Sequence, residues 1–80
     1  MPQASLKAFV RSYRAQIDWL LAQAEEFDSG QHKVTGRVAG KEVDVSQAYA
    51  NEYRHKAGNL EAVLQAFERL HAEELAGLSR

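Results

Sequence analysis

From Asp44 to Leu78 the residues Tyr49, Tyr53, Ala57, Leu60, Val63, Leu64, Phe67, Leu70, His71, Leu75 and Leu78 recur at intervals of three and four. At 3.6 residues per turn they share one side of a helix, and the pattern predicts a long one over 46–77. Earlier in the chain Leu6, Phe9, Val10, Tyr13, Ile17, Leu20, Leu21, Ala24 and Phe27 follow the same period. They predict a first helix over 5–27, with Ser5 as its N-cap and Gly30 as a left-handed stop. The opposite side of this first helix is also apolar. Ala8, Ala15 and Ala22 fall seven residues apart with Trp19 between them, which is either an incidental run of good helix formers beside a lone aromatic or a second contact surface.

Between the helices the period changes to two. Residues 33–45 alternate apolar and polar about Ala39-Gly40, as a β-hairpin does. A two-residue loop there sets Val38 against Lys41, Gly36 against Val43 and Val34 against Val45 on one face. Arg37 then opposes Glu42, and Thr35 opposes Asp44, on the other. The competing reading is a flexible connection, because Gly36 weakens a strand.

The second helix carries two boundary signals. Asp44 followed by Gln47 fits a capping box. Arg54-His55-Lys56 before Gly58-Asn59 reads as a helix end, yet the apolar phase passes through Tyr53, Ala57, Leu60 and Leu64 unbroken. A continuous helix with a kink or break near 58 is the expectation.

The resulting fold class is mainly α: two long antiparallel helices joined by a short β-hairpin, in one domain over 1–80. The helices would be about 35 and 45 Å long, against an expected radius of gyration of about 12 Å for a compact chain of this size. Burying both apolar sides of helix one takes more helices than the chain has, so a homodimeric four-helix bundle is expected. Composition strengthens this. With 80 residues and no Cys, neither disulfides nor thiolate metal sites can supplement a small core, which leaves association.

Net charge is −1, so no overall field draws the chain to nucleic acid or an anionic membrane. No apolar run approaches the roughly 20 residues that span a bilayer, and Met1–Ser5 has no basic stretch leading into an apolar one. The expected location is the cytoplasm. Within helix one Lys7, Arg11 and Arg14 precede Asp18, Glu25 and Glu26, an order opposed to the helix dipole. The three cations read either as an anion or nucleic-acid contact or as a solvated face.

Catalytic chemistry finds little to work with. His32 falls in the loop and His55 on the polar side of helix two, while His71 sits in the apolar stripe. Glu68-x-x-His71 matches part of the carboxylate–histidine element of di-iron bundles, but those sites also need inward carboxylates from other helices, and helix one has none in its stripe. Gly36 and Gly40 lack the spacing of phosphate or dinucleotide loops. No enzyme and no cofactor is expected, and no motif matches a family residue by residue. The favoured function is a small protein–protein interaction or adaptor module that regulates or scaffolds another, unidentified protein. Its interface residues would be Ala8, Ala15, Trp19 and Ala22 of helix one, with Phe67, Leu70, His71, Leu75 and Leu78 of helix two. The alternative is a small nucleic-acid-binding regulatory protein using Lys7, Arg11 and Arg14.

Overall fold

The computed structural model of the chain describes residues 3–78, with side chains from 5 to 77. The protein is mainly helical. Helix α1 spans Gln3–Ser29, strands β1 Thr35–Val38 and β2 Lys41–Asp44 form a hairpin, and α2 Ser46–Leu70 is followed by the short α3 Ala72–Leu78. Helices α1 and α2 run antiparallel. Phe9 near the start of α1 stacks on Phe67 near the end of α2, with centroids 4.0 Å apart, while Phe27 stacks on Tyr53 at 5.7 Å.

The buried line is Leu6, Ile17, Leu20 and Ala24 on α1 against Ala50, Ala57 and Leu64 on α2. Three of these seven are alanines, which bury little apolar surface each. The core is therefore thin. Two helices cover only one side of each other, so several stripe residues remain outside: Leu21, Tyr49 and Val63 are about half exposed, and Leu70 is 80% exposed. The chain forms a single layer of 56 × 22 × 15 Å with a radius of gyration of 17.5 Å, well above the roughly 12 Å of a compact chain. Its accessible surface is 5872 Å², about 1,000 Å² more than the scaling law assigns to a compact monomer of this mass.

The hairpin pairs Thr35 with Asp44, Gly36 with Val43, Arg37 with Glu42 and Val38 with Lys41, which is the register that the alternation and turn chemistry require. Ala39 and Gly40 both have positive φ, 51° and 78°, as a type I′ turn demands. Ala39 pays a steric cost there that Asn largely escapes. Ala39→Asn is expected to stabilise the fold by about 0.5–1 kcal/mol, read as a higher urea midpoint. The valine face of the ribbon does not pack fully on the helices: Val38 and Val43 are exposed.

The start of α2 differs from a capping box. Val45 occupies the N-cap and makes no side-chain cap bond, while the Asp44 carboxylate accepts from the Ser46 N–H at 2.8 Å. Gln47 donates to Asn51 one turn on. Asp44 thus belongs to β2 and turns back on the helix start instead of exchanging bonds with Gln47.

Helix α2 runs through Gly58, because Tyr53, Leu60 and Leu64 on both sides of it hold the same line against α1. A methyl group at Gly58 would meet open space. Gly58→Ala is expected to add about 0.8 kcal/mol from helix propensity, visible as a higher thermal midpoint by circular dichroism. The interruption within 46–77 comes instead at His71, φ −117° and ψ 25°. No Gly or Pro signals it. The His71 ring packs on Phe67, 4.6 Å between centroids, and its Nδ1 lies 3.3 Å from Glu74 Oε1, so contacts within the junction accompany the departure from helical geometry.

Candidate interaction surface

Rotation of about 100° per residue puts Arg14 and Phe9 on opposite flanks of the buried line of α1. The helix pair accordingly has two unlike long edges. On the ionic edge Arg14 lies 3.5 Å from both Glu61 and Glu68 of α2, and Arg54 of α2 pairs with Asp28 of α1. These side chains are all substantially exposed, so the pairs fix the register of the helices more than they stabilise them.

The other edge is aromatic. Phe9 stacks on Tyr13 as well as on Phe67. Farther along, Trp19 meets Tyr53 edge-on, with ring centroids 6.0 Å apart at 85°, and Phe27 lies beside Tyr49 and Tyr53. Trp19 therefore leans back toward α2 rather than projecting straight away from the core, yet it stays 55% exposed. Beside it an open groove of about 400 Å³ is lined by Ala15, Gln16, Trp19 and Leu20.

The remaining residues singled out from the sequence fall in different environments. Ala8, Ala15 and Ala22 are exposed along the outer side of α1. Phe67 and His71 are partly buried in internal packing, and Leu75 is partly buried in α3. Leu70 projects into solvent at the end of α2. The Leu78 side chain lies outside the described residues. Lys7 and Arg11 are exposed, whereas the charge of Arg14 is matched by the two α2 carboxylates. Glu68 is turned to Arg14 and His71 to Glu74, and no group of three His, Cys, Asp or Glu suited to holding a metal ion occurs among the described residues.

Two features escape a sequence reading. His32 packs its ring near Phe27 and sets Nδ1 2.8 Å from Glu26 Oε2, closing the end of α1. Ser46, buried at the foot of the hairpin, accepts a hydrogen bond from the Val34 N–H at 2.9 Å and donates its own to the Asp44 carboxylate. Bonds from the Ser46 hydroxyl and N–H hold the Asp44 carboxyl below the usual carboxylate range. A serine directly after an Asp-Val pair at a strand end was the available hint.

The described residues include no helix long and apolar enough to cross a membrane. The chain matches no protein-family model, no curated protein and no solved structure.

Proposed function

We propose that the protein is a non-enzymatic protein–protein interaction module of the cytoplasm, homodimeric, in which pairing brings four long helices together in an assembly that scaffolds or regulates another protein. The observation that carries this reading is the aromatic edge of a one-layer helix pair. Trp19, Tyr49, Val63 and Leu70 remain exposed there, although aromatic and aliphatic groups of this size contribute most when desolvated against a partner. The nucleic-acid alternative has less support, since Arg14 is already engaged and only Lys7 and Arg11 of its trio stay free of α2 carboxylates.

The test is comparative capture from the native host with the full chain, wild type beside Leu70→Glu. Leu70 lies at the surface, so the variant keeps its fold, checked by circular dichroism. Proteins retained by the wild type and lost from the variant are the expected result. Identical sets, or none with either, would overturn the module reading.

A further inference from the structure

The exposed side of α1 that carries Trp19 has a charge order of its own, and that order selects an occupant. Around the helix, Lys7, Arg11, Asp18 and Glu25 fall in one column on one flank of Trp19 and the exposed alanines, while Phe9, Gln16 and Gln23 border the other flank without charge. All four charged side chains are exposed. Along the column the signs run plus, plus, minus, minus from N- to C-terminus. This sequence of charges is unfavourable toward the dipole of its own helix, but it complements a reversed copy of itself.

We infer that the Trp19 side of α1 is covered by α1 of a second copy, antiparallel, with the two-fold axis passing close to Ala15. The inference rests on the module reading and specifies its first partner. In antiparallel helix pairs like flanks meet, so the charged column lies against the same column of the partner. With the axis at Ala15, Arg11 reaches the partner's Asp18, Lys7 reaches the partner's Glu25, and symmetry doubles both contacts. A parallel pairing sets the column against the neutral flank and uses none of this complementarity.

Size complementarity leads to the same arrangement. The reversed copy brings the partner's Ala8, Ser12 and Ala15, with Arg11 at the rim, opposite Trp19, a hole of mostly small side chains for the part of the ring that Tyr53 leaves exposed. Ala8 then opposes the partner's Ala22, so the axes approach to the short end of the usual 8–10 Å. The surface excess of about 1,000 Å² per chain is of the order that one partner contributes to a standard interface, about 800 Å². Leu70 lies off this face on α2 and stays available to a different protein.

The chain contains no Cys and one Trp, which makes the test clean. Ala15→Cys in the full chain is expected to form a covalent dimer on mild oxidation. Ala8→Cys alone is expected to stay uncross-linked, and the double variant Ala8→Cys with Ala22→Cys to cross-link. All of these positions are exposed, so folding is retained. Trp19 emission of the wild type is expected to shift to the red on dilution as the dimer dissociates. Arg11→Glu is expected to weaken the dimer about tenfold, and Arg11→Glu combined with Asp18→Arg to restore it. A monomer by light scattering at tens of micromolar overturns the inference together with the homodimer of the module reading, while the Leu70→Glu comparison decides separately whether the chain captures another protein. A dimer in which Ala8→Cys cross-links alone, or Ala15→Cys does not cross-link, overturns this geometry.

Discussion

Leu64→Ala is expected to be the most damaging conservative truncation in the protein, lowering stability by about 3 kcal/mol. Leu64 has no accessible surface and sits among Ile17, Leu20 and Ala57, with Val10, Tyr13, Tyr53 and Leu60 around them. Its neighbours are held on only two helices, and Ala57, the small residue of the same cluster, has nothing with which to refill the space. For a chain of 80 residues the whole stability is of the order of 4–12 kcal/mol, so the loss is a large part of it. Urea unfolding followed by far-ultraviolet circular dichroism should show a lower midpoint at unchanged slope. A midpoint that stays in place would mean that the helices are not held by this contact.

Ser46→Ala comes second, at about 2 kcal/mol. The substitution removes the acceptor of the Val34 N–H and a donor to the Asp44 carboxylate at the same time, and the site is nearly closed to water. An amide stripped of its partner there keeps its desolvation penalty. The expected result is faster hydrogen exchange at Val34 and across β1, with the middle of α2 little changed, because the ribbon loses its attachment before the helices lose theirs. The same attachment should depend on acid. The Asp44 carboxyl titrates lower in the folded chain than in the unfolded one, so its contribution is complete above the unfolded value and fades as pH falls through the folded one. In Ser46→Ala this acid sensitivity of the hairpin should shrink, since the hydroxyl that depresses the titration is gone.

Much of the architecture was legible because two periods are written plainly in the chain. The change from intervals of three and four to strict alternation, centred on Ala39-Gly40, fixes the hairpin and its pairing without reference to anything distant. The exposure of Ala8, Ala15 and Ala22 follows from angular arithmetic on one helix. What escaped depends on the relation between elements. Ala50 is buried because a partner helix passes over it, and Val63 and Leu70, though in phase with the core, lack a partner to cover them. Arg14 looked like a free cation until the antiparallel register placed Glu61 and Glu68 beside it. The break at His71 has no local breaker residue, and Gly58, which has the appearance of one, is overruled by tertiary packing. For the interaction surface, the sequence supplied the unusual charge order of α1, but only the fold gave Trp19 its lean toward Tyr53.

The 56 × 22 × 15 Å shape also governs how the protein moves through a medium. A rod of this proportion meets more friction than a sphere of equal mass, tumbles unequally about its long and short axes, and enters fewer pores of a gel matrix. A single chain will leave a sizing column early, at the position of a heavier globular standard. Elution volume alone would therefore report a dimer where there is one chain, and only the scattered intensity, which counts mass without regard to outline, separates the two.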